Sequence, residues 1–273
     1  MRLRAALPLV PLLVAAGVLV AAPPASATVQ PHVLAATGDS ITRAFDVDGS
    51  HYLRDAPNSS WATGGDARVN SVASRLTARG PVTALNVAVT GAKMAALDGQ
   101  LVSAASQGAD AVTVEMGAND VCTSSVSTMT PTATFSAQFE TALKDFFAAR
   151  AKSTTPTTVA VYSIPNIYKL WSLLHLSSSA RFTWAVLGEC RTMLSSSATE
   201  AQRQVVLTRE KADNQALADV CAAYAAQGCR WDGGAVFNTT FTTAQVSTVD
   251  YFHPNVSGQA VLAGVAWSSG PWQ

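Results

Sequence analysis

The sequence predicts an α/β protein, with a parallel sheet covered by helices on both faces. Two observations carry that prediction. Short apolar runs alternate with stretches of helical periodicity along most of the chain, the order that successive βαβ units produce. Short motifs with chemical potential follow directly after the first three of those runs. A parallel sheet places its working loops there, at the carboxyl ends of its strands.

The elements follow in order. Residues 33–37 read as a first strand that ends at Gly38. Residues 70–79 read as a helix with Val72, Ala73 and Leu76 on one face, and 84–89 as the second strand. A helix over 95–107 precedes a third strand over 111–116. Phe135, Phe139, Leu143 and Phe146 recur at helical spacing within 135–152, and the fourth strand, 159–164, is stopped by Pro165. A long helix is expected over 199–227, lined by Leu217, Val220, Cys221 and Tyr224. A short strand over 235–237 and a helix over 256–267 complete the reading. Two stretches, 46–66 and 165–197, lack periodicity, and long loops of this kind are often functional.

Before all of this stands a basic start, Met1 to Arg4, then an apolar run from Ala5 to Ala22 and the small-residue ending Ala25-Ser26-Ala27. That is the pattern of a secretory leader over 1–27, although the run is also long enough to span a bilayer as an anchor. Residues 28–273 then form a single domain. The whole chain balances 18 basic against 18 acidic residues, and the leader takes Arg2 and Arg4, so the remainder is slightly acidic. No basic field exists to hold nucleic acid. No zinc-ligand spacing, P-loop or dinucleotide fingerprint is found, and no metal or organic cofactor is expected. After the leader nothing is long and apolar enough to span a membrane.

The four cysteines, Cys122, Cys190, Cys221 and Cys229, favour two disulfides in an exported chain. Cys221 and Cys229 flank a helix end at Gln227-Gly228, where a local bridge is easy, which leaves Cys122 with Cys190. The alternative is four thiols buried as small apolar groups.

Four motifs carry the chemistry. Gly38-Asp39-Ser40-Ile41 places a serine in a tight turn after the first strand. Gly91, after the second strand, offers an unobstructed backbone N–H, and Asn119, after the third, a side-chain amide. Asp250 precedes His253 by three positions, so one loop can carry both a base and the carboxylate that orients it. Taken singly each has a plain reading as a turn or cap residue. Together they supply the nucleophile, base, orienting acid and oxyanion donors that ester hydrolysis needs.

In their order and spacing these four blocks resemble the signature blocks of the SGNH hydrolases, the GDSL lipases and esterases, with GDSI in place of GDSL. The resemblance implies a three-layer α/β/α sandwich around a parallel, flavodoxin-like five-stranded sheet. It also implies Ser40 as nucleophile, His253 as base and Asp250 as its partner, with Ser40, Gly91 and Asn119 forming the oxyanion hole. Some members use a backbone carbonyl in place of the acid. The run Ser60 to Asp66 and the run Gly117 to Cys122 are similar to segments of the phospholipase B branch and of secreted actinobacterial GDSL phospholipases. That likeness puts Trp61 near the mouth of the site, although a buried structural tryptophan is an equal reading. Trp171 and Trp184 are candidates for an acyl pocket or lid, and equally for ordinary core. The expected protein is a secreted, monomeric serine esterase acting on lipid or phospholipid esters, in part at a lipid–water interface. The alternatives are a carbohydrate esterase of the acetyl-xylan type and an inactive binding protein on the same fold.

Overall fold

The computed structural model describes residues 30–273, and the leader expected at 1–27 lies outside the described residues. Five strands form one sheet: β1 (Val33–Gly38), β2 (Thr83–Asn86), β3 (Ala111–Glu115), β4 (Thr158–Tyr162) and β5 (Cys229–Trp231). The connecting helices are α1 (Val72–Thr77), α2 (Leu97–Ser106), α3 (Ala118–Val121), α4 (Thr132–Arg150), α5 (Ile167–Leu174), α6 (Ser178–Leu187), α7 (Arg191–Leu194), α8 (Glu200–Ala223), α9 (Ala235–Asn238) and α10 (Val256–Ser269). The strand order is β2-β1-β3-β4-β5, and every pairing is parallel. From β1 the chain moves to one side, to β2, then crosses back to β3 on the other side of β1. Opposed crossovers of this kind open a crevice beyond the carboxyl ends of the two central strands.

Strand side chains alternate between faces, and the core divides accordingly. Ala35, Val112, Val114, Val159 and Val161 pack into a larger core with α2, α4 and α8. Leu34, Ala36, Ala111, Ala160 and Tyr162 pack into a smaller core with α1 and α10. The result is the expected three-layer sandwich. In α4, Phe135, Phe139, Leu143 and Phe146 are fully buried, each worth roughly 2–3 kcal/mol over exposure. Both disulfides, Cys122–Cys190 and Cys221–Cys229, are formed.

The structure departs from the sequence reading in two places. The strand expected at 235–237 is the single helical turn α9. The Asp232 carboxylate accepts from Gly234 N at 2.8 Å and Val236 N at 3.0 Å, so those donors serve a helical start and not a ladder. The fifth strand comes earlier, at β5. Just before it, Gly228 (φ +117°) runs so close to β4 that a Cβ would lie 2.0 Å from the Thr157 carbonyl oxygen. The unperiodic stretch 165–197 holds α5, α6 and α7. Asn166 caps α5 and Ser177 caps α6 through side-chain acceptors, and left-handed Gly188 ends α6.

Candidate active site

The crevice at β1 and β3 is where the motif residues meet. Gly38 ends β1 with φ +145°, and a Cβ there would stand 2.4 Å from the Glu115 carbonyl oxygen on β3. Gln100 of α2 clamps this glycine from both sides: its Oε1 accepts from Gly38 N at 2.8 Å and its Nε2 donates to Gly38 O at 2.9 Å. Nothing in the sequence singles out Gln100, because its role arises from an approach across 62 positions. Asp39 Oδ1 then accepts from Ile41 N at 2.9 Å, closing the turn that presents Ser40, which is 7% exposed.

The opposite wall is the loop before α10. Ser247 N donates to His253 O at 2.8 Å and Tyr251 N to Ser247 O at 3.0 Å, so the loop is closed on itself. Tyr251 takes a left-handed conformation (φ +57°), and its carbonyl accepts from Trp184 Nε1 of α6 at 3.0 Å. Asp250 is fully buried, and its Oδ1 accepts from Phe252 N at 2.8 Å and His253 N at 3.0 Å. Its Oδ2 lies 2.5 Å from His253 Nδ1, and His253 Nε2 lies 2.7 Å from Ser40 Oγ. The side chain of Asp250, not a backbone carbonyl, partners the imidazole. Phe45 and Phe252 stand edge-on to the His253 ring, at 5.3 and 4.9 Å between centroids. A hydroxyl, an imidazole and a buried carboxylate in this sequence can draw the proton off Ser40.

Asn119, on α3, reaches the same crevice. Its Nδ2 donates to Ala92 O at 3.0 Å and to Asp39 Oδ2 at 3.3 Å. The Ala92 carbonyl can only accept, which fixes the amide with its nitrogen toward the site. Gly91 (φ +79°) precedes Ala92, and the loop is tied to β1 by Val89 N donating to Gly38 O at 3.1 Å. The N–H groups of Ser40 and Gly91 donate to no group among the described residues.

Burial governs the charges. It pushes His253 down, but the hydrogen bond and charge of Asp250, with the charges of Glu189 and Asp39, outweigh it and leave the imidazole above its ordinary value. Burial pushes Asp39 up to about 6, against the opposing pull of the Ile41 N–H and His253. Beneath it burial, reinforced by Asp39 and Asp232, pushes the Glu115 carboxyl well above the usual range. Among the described residues no cluster of three or more His, Cys, Asp and Glu side chains could hold a metal ion.

A cavity of about 360 Å³ opens beside these groups. Ile41, Ala118, Phe252 and Pro254, each next in sequence to a motif residue, line its inner end, and Ile167, Leu170 and Leu173 of α5 line its wall. Two tryptophans expected near substrate lie elsewhere. Trp61 and Trp184 are each 2% exposed: Trp61 packs edge-on against Tyr162 in the smaller core, and Trp184 braces the Tyr251 turn from inside the larger one. Trp171 is half-buried, with ring contacts to Tyr168 at 5.3 Å and His175 at 4.5 Å and the Arg203 guanidinium 4.4 Å from its centroid, and it does not line the cavity.

Comparison with known proteins bears on family and fold. The GDSL-like Lipase/Acylhydrolase family matches residues 36–261. No curated protein matches. Among solved structures, TesA aligns with a TM-score of 0.54 at 15% identity, covering 87% of this chain and 97% of its own. A phospholipase A1 from Streptomyces albidoflavus aligns at 0.50 and 18% identity, covering 88% and 100%. An acetyl xylan esterase from Geobacillus stearothermophilus aligns at 0.51 and 14% identity, covering 87% and 94%. At these identities the likeness is one of fold.

Proposed function

The chain belongs to the GDSL-like lipase/acylhydrolase family, and on that premise we propose that it is a secreted serine esterase acting on the acyl esters of lipids, phospholipids among them. The observation that carries this reading is the unbroken contact from Ser40 through His253 to Asp250 beside the inner end of a mainly apolar cavity. Residues 28–273 act as a single catalytic domain, and 1–27 direct export, in keeping with the two disulfides.

In the first step His253 Nε2 takes the proton from Ser40 Oγ, and the oxygen attacks the ester carbonyl. The negative charge that develops is met by Ser40 N–H, Gly91 N–H and the Asn119 amide. Asn119 gives up its longer bond, the one to Asp39, and keeps the one to Ala92. Each such donor is typically worth ~10²–10³ in rate. The alcohol leaves with the proton held by His253. Water then repeats the sequence on the acyl-enzyme, giving the acid and free Ser40. The lining is mainly apolar, with Ile167, Leu170, Leu173, Phe241 and Val246, and so favours an acyl chain, while Asn166, Ser172, Thr239, Thr240 and Gln245 on the same lining are the groups that could meet the hydroxyls of an acetylated carbohydrate.

The test is product analysis on phosphatidylcholine carrying two different acyl chains, with a soluble nitrophenyl ester as control. Fatty acid released by the wild type and not by folded Ser40→Ala supports the reading, and the chain released identifies the bond cut. Activity retained by Ser40→Ala would end the mechanism. Cleavage of the small ester with phospholipid untouched would favour the carbohydrate esterase. A folded protein that a fluorophosphonate fails to label would favour a binding role.

A further inference from the structure

Among the described residues, the three most exposed large apolar side chains belong to one short segment: Leu176 (81%), Phe182 (71%) and Val186 (65%). Phe182 and Val186 are four residues apart and so share a face of α6. Leu176 stands in the three-residue turn between α5 and α6, next to the cap Ser177. On the α5 side Leu173 is partly exposed and lines the cavity, so the patch runs into the cavity mouth. Contiguous exposed apolar surface of this kind marks an interaction site.

The charges beside it are mainly positive. Arg181 adjoins Phe182, Arg191 follows α6, and neither guanidinium has an ion-pair or hydrogen-bond partner among the described residues. Across 167–198 the sequence holds a single acidic residue, Glu189. Glu189 is half-buried beside Arg181 and Arg191 and is outnumbered by them. Apolar side chains flanked by unpaired arginines are the composition of a helix that lies in the headgroup region of an anionic bilayer.

We propose that the α5–α6 hairpin docks the enzyme on an anionic lipid surface. Leu176, Phe182 and Val186 enter the acyl boundary, Arg181 and Arg191 meet headgroup phosphates, and a substrate chain passes along Leu173 into the cavity. This rests on the lipid-ester reading of the site.

The test uses full-length Ser40→Ala protein, which leaves vesicles intact, sedimented with phosphatidylcholine vesicles with and without phosphatidylglycerol. The parent should bind, and more tightly with phosphatidylglycerol present. Adding Leu176→Ser, Phe182→Ser and Val186→Ser together should weaken binding to both by about tenfold or more. Adding Arg181→Gln and Arg191→Gln should remove the preference for phosphatidylglycerol only. With Ser40 restored, each set should turn over a soluble short-chain ester within about twofold of the wild type, which establishes an intact fold. A triple variant that binds vesicles like its parent would overturn the proposal. So would a parent that binds neither vesicle, or a concentration-dependent dimer abolished by the triple change, which would assign the patch to a second copy of the chain. Failure of the lipid-ester reading shows separately, as phospholipid left uncut in detergent-mixed micelles where docking is not limiting.

Discussion

Asp250→Asn tests the proposed mechanism most directly. The carboxylate is fully buried and 2.5 Å from His253 Nδ1. Burial lowers the imidazole's affinity for a proton, and Asp250 is the leading group that restores it. Catalysis needs neutral His253 at the start, so wild-type kcat/KM should rise with pH through a value above the ordinary ~6.5. In the variant burial is opposed only by the charges of Glu189 and Asp39, and that acid limb should move to lower pH. The plateau should nevertheless fall by about 10⁴, because the imidazolium formed in the transition state loses its partner and the Asn amide favours the wrong tautomer. The assay is kcat/KM on a soluble ester between pH 5 and pH 9. The stability difference has a sign of its own. A raised folded-state value for His253 adds stability that is complete below about pH 6.5 and is lost as pH rises through that folded value. Thermal scans should therefore show the gap between wild type and variant narrowing toward alkaline pH. A plateau within tenfold of the wild type, or an unmoved acid limb, would refute the argument.

Other substitutions probe the supports. Gln100→Leu leaves the Gly38 N–H buried and unpaired, at a cost of about 1–3 kcal/mol, so Tm should drop by about 2–12 °C and kcat should fall as Ser40 shifts; an unchanged Tm in calorimetry would contradict this. Leu170→Trp fills the cavity wall and should reduce turnover of long-chain esters at least about tenfold relative to an acetyl ester, which paired rate measurements on the two chain lengths can check. Replacing Cys122 and Cys190 by Ala opens a link across 68 positions and should cost about 4 kcal/mol in the chain-entropy treatment, read as a lower denaturation midpoint in urea.

The four blocks are legible in the sequence because each is a contiguous run at the end of a strand, and contiguity survives without coordinates. The disulfides are legible because one pair is local. β5 is not: three residues after a tight glycine turn leave no alternation to read. α9 imitates a strand because Ala235, Val236 and Phe237 are uniformly apolar, and the Asp232 carboxylate and the Ser163 hydroxyl, which take its first N–H groups, come from outside that run. The caps Asn166 and Ser177 and the stop at Gly188 do mark α5 and α6, but exposed apolar residues such as Leu173, Phe182 and Val186 blur the periodicity that would announce them. Gln100 and Trp184 act through tertiary contacts alone, which spacing does not encode.

Ser40 and His253 are 213 residues apart in the chain and 2.7 Å apart in the fold. A growing or threading polypeptide therefore carries its serine almost from the outset and acquires its base only when nearly all of the rest has arrived. On the proposed mechanism, a fragment cut short before the loop at 250–253 lacks its general base, however well its first strands have paired. If the substrate is a membrane lipid, the order in which the parts are made withholds the complete set from the producing cell until the chain is nearly finished.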